Sequence, residues 1–292
     1  MRGCIPTTAS ILAISVGTAA AADRPVSIRT TGGFRLDAVF STPDGPGPFP
    51  AAMIIDGFGP DNRDGGLQGT LYRDWADALV ARGVAVLRYD KRGLGASTGP
   101  ALSWLNPLVM RADAVAATRV LARLPDVDRT HLALIGHSQG GDLALAAAWR
   151  VPAIDRVITL AAPGRPLGDF ANAGQLAVLG RIVGTKAARA TARLDPLDDA
   201  RRVRQPTLVV QGTADRVVPI GDSLRIVSAR RKRRLPTALL QIPGLGHQIQ
   251  DLKTRRPPTS LVDRTAAFIG RARPGRSRPP GSQGSTTPNP QG

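Results

Sequence analysis

A serine, an aspartate and a histidine occur in the sequence in an order that could make the serine reactive. A serine hydroxyl alone is a poor nucleophile, and a histidine base held by a carboxylate activates it. Ser138 lies in Gly-His-Ser-Gln-Gly, residues 136–140, which fits the pattern G-x-S-x-G. An apolar run ends just before this pentapeptide, and a helical pattern follows it. Since that context is typical of a sharp strand-to-helix turn exposing a nucleophile, Ser138 is the predicted nucleophile.

The base has to come from three histidines: His131, His137 and His247. His131 begins a predicted strand, at the end away from Ser138, and is interpreted as structural. His137 lies inside the turn, where its side chain is expected to pack beside the backbone. His247 lies in the glycine-containing loop 243–247 after the last predicted strand, so it is the predicted base.

The carboxylate should follow the penultimate predicted strand, between the serine and the histidine in the chain. Asp215 occupies this position, directly after the strand predicted over 207–211. Asp195, Asp198 and Asp199 are alternatives, but they precede that strand. Asp215 is therefore the predicted acid, which would hold the imidazole in one tautomer and stabilise the imidazolium.

Attack on a carbonyl leaves negative charge on its oxygen, which requires fixed hydrogen-bond donors. Such donors are worth roughly 2.7–4 kcal/mol each. One predicted donor is the backbone N–H of Gln139, directly after the nucleophile. The second is predicted in the loop 56–60, with the N–H of Phe58 preferred and that of Gly57 as the alternative.

Short apolar runs alternate with helical patterns along the chain, which predicts an α/β fold with a mostly parallel, doubly wound sheet. The predicted strands are 26–30, 34–41, 51–56, 84–89, 132–135, 156–161, 207–211 and 238–242. The predicted helices are 71–82, 107–123, 140–149 and 259–271. These elements place Ser138, Asp215 and His247 after strands, at one edge of the sheet.

The chain is expected to form one domain over residues 23–273, which contains one special segment and is flanked by two others. Residues 1–22 resemble a signal peptide, with Arg2, an apolar stretch and small residues before Asp23. Residues 164–204 are interpreted as a small helical cap, the alternative being a long crossover helix with a surface loop. Residues 274–292 lack apolar periodicity, which predicts a disordered tail.

The leader predicts export to the periplasm or the medium, the alternative being a disordered alanine-rich N-terminus. Cys4 is the only cysteine, which excludes an intrachain disulfide. The apolar stretch of the leader is shorter than the ~20 residues of a spanning helix, so no stable membrane insertion is expected.

The formal net charge of +17 raises the question of polyanion binding. Arginine supplies nearly all of the positive charge and is scattered along the chain, which argues against nucleic acid as a partner. The one dense basic run, residues 230–234, is interpreted as a solvated surface, with docking to an anionic lipid or polymer as the alternative. No Cys/His cluster has the spacing of metal ligands, so neither a metal nor a cofactor is expected.

Taken together, residues 25–270 resemble the α/β-hydrolase superfamily, in particular dienelactone-hydrolase-like and serine-aminopeptidase-like esterases. The stretches 57–65, 87–97 and 136–140 carry this likeness. Such relatives often have a small residue where this chain has Phe58, which places a bulky ring near the expected acyl pocket. Charged residues in the first two stretches are expected to form ion pairs that brace both loops; they are Asp61, Arg63, Asp64, Asp90 and Arg92.

The resemblance implies hydrolysis of a small-molecule or acyl ester through an acyl-enzyme, as in a carboxylesterase. A serine in the turn argues against the carboxylate nucleophile of dehalogenases and epoxide hydrolases with similar folds. Two alternatives stay open: a peptidase or amidase with the same three residues, and a non-catalytic binding protein with the same fold.

Overall fold

The computed structural model describes residues 22–66, 69–169 and 173–270. The predicted signal peptide lies outside these residues, apart from the backbone of Ala22. Cys4 and the predicted tail, residues 274–292, also lie outside them. The predictions made for these segments therefore stay predictions.

Within the described residues, eight strands form one sheet. They are β1 (Ala22–Arg29), β2 (Arg35–Thr42), β3 (Phe49–Ile55), β4 (Ala85–Tyr89), β5 (Val127–His137), β6 (Arg156–Leu160), β7 (Thr207–Gly212) and β8 (Thr237–Ile242). Their order is β1-β2-β4-β3-β5-β6-β7-β8. The pairs β1/β2 and β2/β4 are antiparallel, and the other five pairs are parallel, which confirms the predicted sheet.

Helices cover both faces of this sheet. The helices of the described residues are α1 (Leu71–Val80), α2 (Pro107–Leu121), α3 (Gln139–Ala148), α4 (Ala173–Val183), α5 (Thr185–Ala192), α6 (Pro196–Ala200), α7 (Ile220–Lys232) and α8 (Thr259–Ile269). Side chains of α2, α3, α6 and α7 share one hydrophobic cluster, and those of α1 and α8 share another. The sheet is therefore doubly wound, as predicted.

The sequence of β3 explains why the sheet is buried on both sides. Met53 and Ile55 belong to the cluster on the α2/α3 face, whereas Ala52 and Ile54 belong to the cluster on the α1/α8 face. Because neighbouring side chains of a strand point to opposite faces, a continuous apolar run suits a strand covered on both faces. Residues 51–55 form such a run at the centre of the sheet.

Strand β5 is longer than its predicted core, residues 132–135. It begins at Val127, which pairs with Phe49 of β3 ahead of a register shift. Residues 128–131 are only partly buried or exposed and mostly polar, so an apolar-run criterion does not detect them. His131 lies in the amino-terminal half of β5, away from the end that leads to Ser138.

The segment interpreted as a cap, residues 164–204, contains a 3-10 turn (Leu167–Asp169) and the helices α4, α5 and α6 between β6 and β7. The buried carboxylate of Asp222 in α7 holds the start of this segment, residues 164 and 165, in place. It accepts hydrogen bonds from Gly164 N–H at 3.1 Å and from Arg165 Nε and Nη2 at 2.9 and 3.0 Å. A cap function of this segment stays a prediction.

None of the helices in the described part of the chain is long and apolar enough to cross a membrane.

Candidate active site

Ser138 forms the turn between β5 and α3, at the carboxyl edge of the sheet. Its backbone has φ 53° and ψ −125°, in a region that L residues rarely occupy. The Ser138 N–H donates to the carbonyl of Leu160 at 2.8 Å, which ties the turn to β6. The side chain is half-buried, and the N-terminus of the fully buried α3 begins directly after it. The strained backbone therefore presents the hydroxyl at a helix N-terminus.

Two glycines of the pentapeptide are required by close backbone contacts. A Cβ on Gly136 would overlap the carbonyl oxygen of Gly140. A Cβ on Gly140 would overlap the carbonyl oxygen of Ile55, the last residue of β3. The pattern G-x-S-x-G thus allows α3 to approach β3 and β5 closely.

The three predicted side chains are joined by hydrogen bonds in series. The Ser138 Oγ lies 3.0 Å from Nε2 of His247, and Nδ1 of His247 lies 2.9 Å from Oδ2 of Asp215. Because an ionised carboxylate only accepts, Nδ1 carries the imidazole proton and Nε2 is free to accept the serine proton. The structure therefore brings together Ser138, Asp215 and His247, although 109 residues separate Ser138 from His247.

Asp215 is held by further donors. Oδ1 accepts from the N–H groups of Val217 and Val218 at 2.8 and 2.9 Å, and Oδ2 accepts from Nε2 of Gln211 at 2.9 Å. Burial acts to raise the pKa of Asp215, but the hydrogen bonds from His247 and from the backbone outweigh it, and the pKa lies below its ordinary value. Asp215 is thus kept ionised beside the imidazole.

His137 connects the loop of His247 to the loop after β3. Tyr72 OH accepts from Gly57 N–H at 2.9 Å and lies 3.0 Å from Nδ1 of His137. The other ring nitrogen, Nε2, lies 2.9 Å from the carbonyl oxygen of His247. A carbonyl can only accept, so His137 donates through Nε2 and accepts from Tyr72 through Nδ1. Burial, followed by the nearby His247, lowers the pKa of His137 to about 4, which keeps the ring neutral.

The loop after β3 is held by a buried ammonium group. Lys91 Nζ donates to the carbonyls of Gly57 and Gly59 at 2.7 and 2.8 Å, and it pairs with Asp56 Oδ2 at 2.6 Å. The side chains of Lys91 and Asp56 are both almost fully buried. Burial dominates the titration of Asp56 and, although Lys91 opposes it, raises the pKa to about 6.

The predicted oxyanion donors lie on this loop and at the start of α3. Gly57 borders the nucleophile, because a Cβ on Gly57 would lie 3.1 Å from Ser138 Cβ. Tyr72 occupies the Gly57 N–H, which disfavours the alternative donor. The Gln139 N–H is the first of α3 and has no intrahelical acceptor. Among the described residues, the Phe58 N–H makes no hydrogen bond either.

The Phe58 ring is half-exposed beside the loop of Gly57. It is 52% exposed and packs edge-to-face on Trp104, with 5.1 Å between the ring centroids. The bulky residue at this position therefore forms one side of an apolar surface next to the loop of Gly57.

The residues considered as alternatives for the base and the acid have other partners. His131 contacts Asp128 in β5. Asp195 caps α6, Asp198 pairs with Arg201, and Asp199 pairs with Arg111 and Arg150.

The expected ion pairs around the loops are found only in part. Arg63 joins the two loops, because its guanidinium pairs with Asp90 Oδ2 at 3.5 Å and its backbone N–H donates to Asp90 Oδ1 at 2.9 Å. The guanidinium also pairs with Asp37 at 2.7 Å. Asp64 pairs with Arg88. The expectation was wrong for Arg92, which pairs with Asp113 of α2 at 2.5 Å because its side chain turns into the core under that helix.

Tyr72, Lys91 and Gln211 were missed as site residues by the sequence analysis, and so was the bridging position of His137. No motif marks Tyr72 or Gln211. A signal for Lys91 did exist, since it is one of only four lysines in a chain with 39 lysines and arginines. Within the residues described, no group of three or more His, Cys, Asp or Glu side chains is arranged to hold a metal ion.

Parts of this chain are similar in sequence to known proteins. Residues 66–196 match the family model described as serine aminopeptidase, S33. Esterase EstD of Thermotoga maritima is 35% identical over 135 residues, which cover 46% of this chain and 32% of EstD. The aligned segment thus spans about a third of that relative. An uncharacterised protein of Mycobacterium tuberculosis is 28% identical over 270 residues, covering 90% of this chain and 83% of the relative.

Among solved structures, the acylaminoacyl peptidase of Pyrococcus horikoshii superposes with a TM-score of 0.67 at 16% identity, covering 89% of this chain and 43% of the peptidase. At this identity the likeness concerns the fold. With the sheet order, this likeness shows that the chain has the α/β-hydrolase fold. Over residues 66–196 its sequence is similar to the serine aminopeptidase family.

Proposed function

We propose that this protein is a serine hydrolase that cleaves carboxylic esters through an acyl-enzyme. One observation carries the proposal: the hydrogen bonds of 3.0 and 2.9 Å that join Ser138, His247 and Asp215 in series. The similarity to an esterase and to a serine aminopeptidase family supports a hydrolase.

In the proposed acylation step, Ser138 Oγ attacks the ester carbonyl while Nε2 of His247 takes the hydroxyl proton. The carbonyl π electrons move onto oxygen, where the N–H groups of Phe58 and Gln139 would stabilise the charge. Asp215 holds the imidazole and stabilises the imidazolium. When the tetrahedral intermediate collapses, the C–O bond to the alcohol breaks, and His247 gives its proton to the departing oxygen.

Deacylation repeats these steps with water. His247 removes a proton from water, the hydroxide oxygen bonds to the acyl carbon, and a second tetrahedral intermediate forms. Its collapse breaks the bond to Ser138 Oγ and returns the proton from His247 to that oxygen. Every proton thus passes through Nε2 of His247, which fits a ring whose Nδ1 is already bound to Asp215.

The apolar pair Phe58 and Trp104 supports a substrate with an apolar group on that side of the site. Phe58 directly follows Gly57, which borders Ser138. We infer that one hydrophobic substituent of the ester packs on these two rings.

Replacement of the nucleophile tests the proposal. Ser138→Ala is expected to lower kcat on short p-nitrophenyl esters by at least about 10³-fold, because the covalent route is lost. The measurement is a chain-length series of esters with both proteins. Wild type should also be labelled by a fluorophosphonate probe, and the variant should not. Retention of most activity by the variant would contradict the assignment, and wild type that resists the probe would favour a binding protein.

Amide or peptide hydrolysis by the same residues is the second candidate. The description of the matching family, serine aminopeptidase, favours it. Parallel assays with p-nitrophenyl esters and aminoacyl anilides separate the two candidates, because only an amidase would cleave anilides with comparable kcat/KM.

A further inference from the structure

The ammonium group of Lys91 is buried and contacts three oxygen atoms of the loop after β3. Its ammonium group has three N–H bonds and lies 2.6 Å from Asp56 Oδ2, 2.7 Å from the Gly57 carbonyl and 2.8 Å from the Gly59 carbonyl. Two of its donors therefore meet the two carbonyls, its charge pairs with the Asp56 carboxylate, and the side chain is 2% exposed. The planar fork of an arginine does not match a compact site of this kind.

The bond to Gly57 fixes the direction of the next N–H. The peptide unit between Gly57 and Phe58 is planar and trans, so its C=O and N–H point in opposite directions. Since the carbonyl of this unit points at Lys91, the Phe58 N–H points away from it. Tyr72 holds the preceding unit through the Gly57 N–H at 2.9 Å, so the glycine is fixed from both sides.

The loop held in this way lies against the nucleophile. A Cβ on Gly57 would come within 3.1 Å of Ser138 Cβ and 3.4 Å of the His137 carbonyl oxygen. The Phe58 N–H is left without an acceptor among the described residues, as an oxyanion donor has to be.

We propose that Lys91 is a positioning residue of the oxyanion hole, which holds the Gly57–Phe58 peptide with its N–H directed at the developing oxyanion. This inference rests on the proposed hydrolase function. Lys91 touches neither substrate nor nucleophile and acts through the backbone. A donor that is fixed before reaction stabilises the oxyanion without reorganisation, so Lys91 should affect kcat more than KM.

The test removes both partners of the buried pair, since a single change would leave a buried charge unpaired. Lys91→Met combined with Asp56→Asn keeps the volume and abolishes the bonds to both carbonyls. A matched control is Arg92→Met with Asp113→Asn, which removes a neighbouring buried pair that does not contact the loop. Thermal unfolding of both double variants measures the loss of stability.

The readout is kcat and KM on an ester and on the corresponding thionoester. In a thionoester the charge develops on sulfur, a poor hydrogen-bond acceptor, so a well-directed N–H favours the ester. We expect the Lys91 double variant to lose about 30-fold in kcat on the ester and about tenfold in its preference over the thionoester. KM should change less than about threefold, and the Arg92 double variant should keep kcat within about threefold.

Wild-type kcat and preference in the folded Lys91 double variant would overturn the inference, as would equal kcat losses in both double variants. If the Lys91 double variant does not fold, Lys91→Arg replaces it: the charge is kept, but we expect a loss of at least about tenfold in kcat. An arginine variant equal to wild type would also overturn the inference, because the charge alone would then suffice. Wild type inactive on every ester would instead refute the proposed function, which distinguishes the two failures.

Discussion

At the scale of single residues, the neutral ring of His137 links the base to the oxyanion loop. It accepts from Tyr72 and donates to the carbonyl of His247, and both bonds require the proton to be on Nε2. A proton added at Nδ1 would face the Tyr72 hydroxyl, which already accepts from Gly57. We therefore expect acidic pH to destabilise the structure by protonating His137.

The folded-state pKa of His137 is about 4, below the ordinary value of 6.5. Between these values the unfolded chain binds more protons, so stability falls as the pH falls through this window. Between pH 7 and pH 5, protonation of this residue in the unfolded chain should lower the free energy of unfolding by ~2 kcal/mol. Asp56, whose pKa is raised to about 6, acts in the opposite direction. We therefore predict that His137→Gln reduces the drop between pH 7 and pH 5 by ~2 kcal/mol relative to wild type.

Urea unfolding of wild type and of His137→Gln at the two pH values measures this difference. Because Asp56 is present in both proteins, its effect on the pH dependence cancels in the comparison. Glutamine keeps an acceptor for Tyr72 and a donor for His247, so the variant should fold. Equal pH dependence in the two proteins would contradict the role given to His137.

The sequence identifies some of these residues and not others for a physical reason. Ser138 lies in a local motif, and with only three histidines the choice of His247 follows from its place after a strand. Tyr72 and Lys91 meet their partners only after folding, across 65 residues to His137 and 34 residues to Gly57. Hydroxyl and ammonium groups have no periodic pattern that would reveal such partners. The contact of Phe58 with Trp104 likewise joins residues that are distant in the sequence.

At the scale of elements, the packing of α3 against β3 depends on Gly140. A Cβ there would meet two backbone carbonyls, of Ile55 and Asp56, which cannot move aside without bending the end of β3. We predict that Gly140→Ala costs about 3 kcal/mol of unfolding free energy and also lowers kcat by displacing Ser138. Chemical unfolding and ester kinetics measure the two effects.

Gly221 in the first turn of α7 provides the control. A Cβ there has no heavy atom within 4 Å, and the residue is exposed. Gly221→Ala should therefore leave kcat unchanged and raise stability by about 0.5 kcal/mol, since alanine favours a helix. If Gly140→Ala and Gly221→Ala had the same effects on stability and on kcat, the contact with β3 would not be the reason that position 140 requires glycine.

Most elements follow from the sequence because each has one dominant pattern. The apolar run of β3 is buried on both faces, and α2 begins at Pro107 after Asn106, whose side chain accepts from Leu108 N–H at 3.1 Å. Strand β5 was found only in part, because its first residues are polar and are held by pairing with Phe49. Pairing between distant strands has no local pattern to detect.

At the scale of the whole molecule, we propose that the chain is exported and cleaved after Ala22. The small residues 19–22 before Asp23 support this proposal. We predict that protein from the periplasm or the medium begins at Asp23, which N-terminal sequencing or intact mass measures. Recovery of the full-length chain from the cytoplasm alone would contradict export.

The strand β1 connects this processing to folding. Ala22 and Asp23 are its first residues and pair with Thr42 and Ser41 of β2, and Asp23 Oδ1 accepts from Ser41 Oγ at 2.5 Å. Once that ladder closes, the peptide bond between Ala22 and Asp23 lies in a strand paired with β2, so this backbone is no longer free to bind in the cleft of a peptidase. In the proposed export, cleavage of the leader and closure of the sheet edge therefore compete for the same few peptide groups. Under the same proposal, a precursor that folds too early would keep its leader, so late docking of β1 favours release of the mature chain.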